Sequence, residues 1–192
     1  MKRTRWLALW VIVLLVPAAG VFAQEKTDQP SRVAADVPGP VHKHLSELAG
    51  SWDVAIQYKL ADKEQDGTAS CDATMILGGR FLQQTYKSKF QGEPFEVLQI
   101  LGYDNEKHKT IEIMMDTMGT GLLHNEGTIS EDGTVITNLG ESRDPRTKKR
   151  FKLRTVYTIA DRDHFQLEWY RTNEGVAEEK VVTLSHTRKK PS

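Results

Sequence analysis

"MILGGRFLQQTY" (Met75–Tyr86) decides the fold. Two adjacent glycines followed by an arginine suit either a loop that cradles an anion or a tight bend joining two strands. A phosphate-cradling loop needs a helix directly after its glycines, so that the first N–H groups of the helix meet the anion. Here "RFLQQTYKSKF" (Arg80–Phe90) follows, alternating or nearly so and carrying no helical stripe. The glycine pair is therefore expected to bend one strand back on the next.

The rhythm on both sides agrees with that bend. "WDVAIQYKL" (Trp52–Leu60) puts Trp52, Val54, Ile56, Tyr58 and Leu60 on one face and Asp53, Gln57 and Lys59 on the other, the period of a half-buried strand. Asp66-Gly67 and Asp132-Gly133 have hairpin composition. Further bends are expected at "QGEP" (Gln91–Pro94), "YDNEKH" (Tyr103–His108), "MGTG" (Met118–Gly121), "RDPRT" (Arg143–Thr147), "DRD" (Asp161–Asp163) and "TNEG" (Thr172–Gly175). About ten short strands lie between them, the spacing of an antiparallel all-β barrel or sandwich. One short helix precedes them: "PVHKHLSELAG" (Pro40–Gly50) spaces Val41, Leu45 and Leu48 helically between a proline and a glycine. No second long helical pattern supports parallel βαβ units.

The first 23 residues have the form of a signal peptide. Lys2, Arg3 and Arg5 precede the apolar run Trp6–Val16, and small residues lead to an expected cleavage after Ala23. That run is shorter than the ~20 residues a spanning helix needs, so no stable membrane anchor is expected after cleavage, and the protein should be exported to a periplasm or medium. Residues 24–40 are polar and proline-bearing, a flexible leader, and residues 41–190 form the folded domain. Removing Lys2, Arg3 and Arg5 from the balanced 26 basic and 26 acidic residues leaves 23 against 26. That net charge of −3 argues against nucleic-acid partners. Cys71 is the only cysteine, so stability rests on packing and not on an intrachain disulfide.

"LAGSW" (Leu48–Trp52), "LGGRF" (Leu77–Phe81) and "LGYDNEKHKTIEIMMDTMGTG" (Leu101–Gly121) together resemble a family of uncharacterised bacterial exported proteins, known only as a domain of unknown function with a lipocalin-like barrel. The resemblance spans about His42 to Lys189. It implies a lipocalin-like (calycin) barrel of about ten strands with a cavity, but no agreed chemistry. Calycins set the first-strand tryptophan at the closed end of the barrel under a basic residue from the last strand. The resemblance thus implies a structural pair of Trp52 and Arg188.

The expected function is binding of a small, partly apolar molecule in the cavity. Tyr58 and Met114 are its expected apolar wall, and Arg80, Asp116 and His124 the polar candidates. Asp104 and Thr120 are read as a turn former and a loop hydroxyl. With the bend centred near Glu106, Asp116 falls opposite approximately Glu96, and a slip of one residue would reverse its face. The alternative is a cavity hydrolase or isomerase using Asp116, Arg80 and His124, which must then converge. His42 and His44 lack the further ligands that a metal site needs, the other histidines being scattered. His186 invites comparison with calycins that hold haem through a late histidine. No cofactor or metal is expected.

Overall fold

The computed structural model describes residues 37–60, 63–144 and 147–190, without the side chain of Leu60. The expected signal peptide and most of the expected leader lie outside the described residues. Helix α1 (Pro40–Glu47) is followed by β1 (Gly50–Leu60), β2 (Lys63–Ile76), β3 (Phe81–Phe90), β4 (Glu93–Asp104), β5 (Lys109–Asp116), β6 (Leu123–Ile129), β7 (Val135–Arg143), β8 (Arg150–Ile159), β9 (His164–Asn173) and β10 (Glu179–Arg188). Each strand pairs antiparallel with its chain neighbours, and β1 pairs with β10, which closes a lipocalin-like barrel.

Gly78 and Gly79 take φ values of +68° and +81°, a left-handed geometry open to glycine at little cost. The bend they make is fastened by the N–H groups of Gly79 and Arg80, both donating to the Ile76 carbonyl at 3.2 Å. Asp132-Gly133 also turns the chain, between β6 and β7. Asp66-Gly67 does not. Those two residues lie inside β2, opposite Gln57 and Ile56, and the β1–β2 pairing runs on to Leu60 and Lys63. The hydrogen-bonded ladder between these long strands outweighs a local turn preference.

Helix α1 covers one end of the barrel. Leu45 and Leu48 are buried in the same core as Trp52 and Phe165. The Gly39 N–H donates to His42 Nδ1 at 3.1 Å, so a side chain caps the first turn. Val37, at the end of the expected leader, is tied down by Asn105, whose Nδ2 donates to the Val37 carbonyl at 2.8 Å. Successive turns of an up-and-down barrel alternate between its ends. The β2–β3, β4–β5, β6–β7 and β8–β9 turns therefore lie at the helix end, and the other connections form a mouth.

Candidate functional site

The first strand supplies the apolar wall expected of it. Trp52 and Val54 are buried, and Ile56 and Tyr58 follow on the same face toward the mouth. Between Tyr58 and the opposite strands lies a cavity of about 250 Å³. Ile56 and Tyr58 of β1, Gly67 and Ala69 of β2, Phe90 of β3 and Phe95 and Val97 of β4 line it. Met114 and Asp116 of β5, Leu167 and Trp169 of β9 and Val182 and Leu184 of β10 complete most of the wall. Tyr58, Phe90 and Phe95 form an aromatic arc, with adjacent ring centroids 6.0 and 6.1 Å apart.

Of the candidates named from sequence, Tyr58, Met114 and Asp116 line this cavity. Asp116 stands opposite Val97 instead of Glu96, because the β4–β5 turn pairs Asp104 with Lys109 and moves the register by one residue. Its Oδ1 accepts the Met118 N–H at 2.8 Å, which helps turn the chain out of β5. Asp104 likewise serves its turn, accepting the N–H groups of Glu106 and Lys107.

Arg80 and His124 are not in the wall. Arg80 belongs to the β2–β3 turn at the helix end, donates to the Leu77 carbonyl at 3.2 Å, and lies near enough to His42 for its charge to help lower that imidazole's pKa. Desolvation is the larger cause of that lowering. His124 is exposed on β6, whose alternation turns Asn125 inward and His124 out. Arg80, Asp116 and His124 therefore occupy opposite ends and opposite faces. The catalytic grouping that would need them together does not form.

Below the cavity the barrel holds a polar layer that sequence reasoning missed. Glu112 is 1% exposed. Its Oε1 accepts from Gln99 Nε2 and from the Tyr157 hydroxyl, the latter at 2.9 Å, and its Oε2 accepts from Asn125 Nδ2 at 2.7 Å and Thr155 Oγ1 at 2.6 Å. Four neutral donors thus surround one carboxylate, the arrangement that offsets the cost of taking it out of water. Burial, and then the charge of Glu112, holds the Tyr157 phenol well above its usual pKa, so it stays a donor. Gln99 belongs to both this layer and the cavity wall, and forms part of the cavity floor.

At the helix end, Tyr86 accepts from Gln84 Nε2 at 3.2 Å, and its hydroxyl meets His186 Nε2 at 3.1 Å. His186 stacks on Phe165 with centroids 3.8 Å apart and meets Trp52 edge-on. Desolvation pushes its pKa down to about 3, against weaker opposing bonds to the backbone of Leu184 and Phe165. It is 2% exposed and sits outside the cavity wall, engaged with Tyr86 and ringed by aromatic groups. The comparison with haem-holding calycins is not supported by that position. Cys71, beside Tyr86, has its thiol pushed up to about 12 by burial, which makes it a small apolar filler. Among the described residues no group of three or more His, Cys, Asp or Glu is placed to hold a metal ion.

A family described as "Protein of unknown function (DUF1579)" matches residues 37–188, most of the chain. No curated protein matches. Among solved structures, the chain is similar to Rv2717c from M. tuberculosis, with a TM-score of 0.61 and 19% identity over 80% of this chain and 100% of that one. It is also similar to the S-type phycobiliprotein lyase CPES from Guillardia theta, with a TM-score of 0.55 and 14% identity over 79% of this chain and 94% of that one. At these identities the likeness concerns the fold.

Proposed function

The chain belongs to the DUF1579 family, and from that premise we propose that it is an exported binding protein whose lumen takes one small, largely apolar molecule. The observation that carries this reading is the cavity of about 250 Å³, walled by aromatic and aliphatic side chains from β1 to β5, β9 and β10. Ligand sites are concave, mostly apolar and provided with a few placed polar groups. This wall has that composition, with Asp116 and Trp169 among its polar members. The likeness to a lyase barrel supports ligand binding in a coarse way, because similar barrels serve many functions. Binding is favoured over turnover because Arg80 and His124 lie away from Asp116.

Titration with 2-isopropylnaphthalene, followed by calorimetry and native mass spectrometry, tests the lumen. Saturable one-to-one binding is expected, and a lack of saturable binding overturns the reading. Export is tested separately, by N-terminal sequencing of protein recovered outside the cytoplasm, where a chain beginning at Gln24 is expected.

A further inference from the structure

We infer that the lumen selects a neutral acceptor oxygen, a carbonyl or ether on an apolar frame, through the indole N–H of Trp169. This rests on the binding reading above and names the ligand class for the same site. Trp169 pairs with Thr155 of β8 and Val182 of β10, on the inward face of β9 between Leu167 and Arg171, and its side chain lines the cavity. Its Nε1 is buried and makes no hydrogen bond among the described residues. An indole nitrogen is a donor only, so it cannot be satisfied by any donor nearby. Leaving it unpaired costs as much as a lost hydrogen bond, and a small turn of the partly exposed indole that presents its N–H to an acceptor carried by the guest removes that cost.

Of the other polar groups of the wall, Tyr58 is partly exposed and Lys89 exposed, so both can meet solvent, and the rest are already engaged. The Tyr86 hydroxyl bonds Gln84 and His186, Gln99 Nε2 bonds Glu112 and Tyr157, and Ser88 Oγ donates to the Phe95 carbonyl at 3.4 Å. Asp116 holds the Met118 N–H. Trp169 is thus the donor whose need is unmet.

Two further features narrow the class. The cavity is smaller than the ~300–1,000 Å³ that holds a drug-sized molecule, so the guest is of one- or two-ring size. An anion would have to shed its water among Phe90, Phe95 and Leu167, facing the Asp116 carboxylate on the same wall, which favours a neutral guest. Lys89, exposed at the rim, is the one feature that speaks for an anion, and the test includes it.

Three probes of one shape decide the matter: 2-acetylnaphthalene, 2-isopropylnaphthalene and 2-naphthoate. The ketone is expected to bind at least tenfold more tightly than the hydrocarbon. Trp169→Phe should erase that preference, read as the ratio of ketone to hydrocarbon affinity in the variant against the same ratio in the unsubstituted protein. In ¹H–¹⁵N spectra, the indole signal that vanishes in Trp169→Phe should move downfield with the ketone and not with the hydrocarbon. If the variant does not fold, the Trp169 indole signal is assigned by through-bond correlation to its own backbone, and its shift in the unsubstituted protein decides alone. Equal affinities with an unmoved indole signal overturn the inference and leave the apolar lumen standing. Naphthoate binding more tightly than the ketone overturns the neutral class. A protein that takes neither the ketone nor the hydrocarbon loses the lumen reading as well.

Discussion

Arg188 lies with its guanidinium carbon 4.1 Å from the ring centroid of Trp52, its cross-strand partner at the β1–β10 seam. The same guanidinium donates to the carbonyls of Glu47, Ala49 and Arg162, each at 2.7 Å. It therefore ties the last strand to the end of α1, whose final carbonyls have no partner within the helix. Gly50, at φ +135°, leaves the space, since a Cβ there would come within 2.4 Å of Arg188 Nη1. Arg188→Ala removes both the cation over the indole and these charge-assisted bonds. A loss of about 2–4 kcal/mol is expected in urea unfolding. Arg188→Lys should recover less than half of it, because a point charge cannot reach three carbonyls and stack as well.

Glu112→Gln keeps the shape and removes the charge. Each carboxylate oxygen accepts from two donors, so whichever oxygen becomes an NH₂ group will face donors it cannot satisfy. About 2–4 kcal/mol should be lost, read as a lower urea midpoint at unchanged slope.

His186 makes stability depend on pH. Its pKa lies near 3 in the fold against 6.5 for the ordinary imidazole, so below about pH 6.5 the unfolded chain binds a proton that the folded one excludes. The stabilisation is fully present above pH 6.5 and is lost as pH falls toward 3. The slope is about 1.4 kcal/mol per pH unit within that window. Urea midpoints at pH 7.5, 6 and 5 measure it above the range where carboxylates titrate. His186→Gln should flatten the profile even if its midpoint at pH 7.5 is lower. An equal slope in both proteins would assign the effect elsewhere.

Gly67 faces the lumen, and a Cβ placed there meets its nearest neighbours, Ile56 and Tyr58, at an ordinary 3.8 Å. Gly67→Leu should therefore fit without backbone strain and fill part of the cavity. We expect at least a tenfold loss of affinity for 2-isopropylnaphthalene, with thermal stability unchanged or slightly raised. Calorimetric titration and a melting curve on the same sample check both.

The first strand was legible because its apolar residues point inward, as the alternation of Trp52, Val54, Ile56 and Tyr58 suggests. The fifth was not, because it obeys the same period with the faces exchanged. Thr110, Glu112, Met114 and Asp116 turn into the barrel, while Ile111, Ile113 and Met115 turn out, half-buried, with Ile113 opposite Ile100 and Met115 opposite Leu98 on β4. Periodicity locates two faces but does not say which one is inside. The separation of Arg80 from Asp116 could have been found by counting turns. The β2–β3 turn and the mouth-end terminus of β5 must fall at opposite ends of an up-and-down barrel. Trp169 had no motif around it, and Glu112 lay within the quoted stretch Leu101–Gly121 with nothing there to mark it as a buried carboxylate. Their significance comes from burial alone, which only the closed fold reveals.

The seam between β1 and β10 joins the two ends of the folded chain, whereas every other pairing links strands consecutive in sequence. A nascent or truncated chain that stops before Glu179 can still zip its earlier hairpins, yet it would carry two raw sheet margins able to recruit other molecules. Completion of the vessel waits on the final ten-residue strand, which also delivers the bolt that locks the helical lid. Closure of the barrel therefore depends on β10, and a nick or truncation ahead of that strand should yield clumping chains and no partly working receptacle.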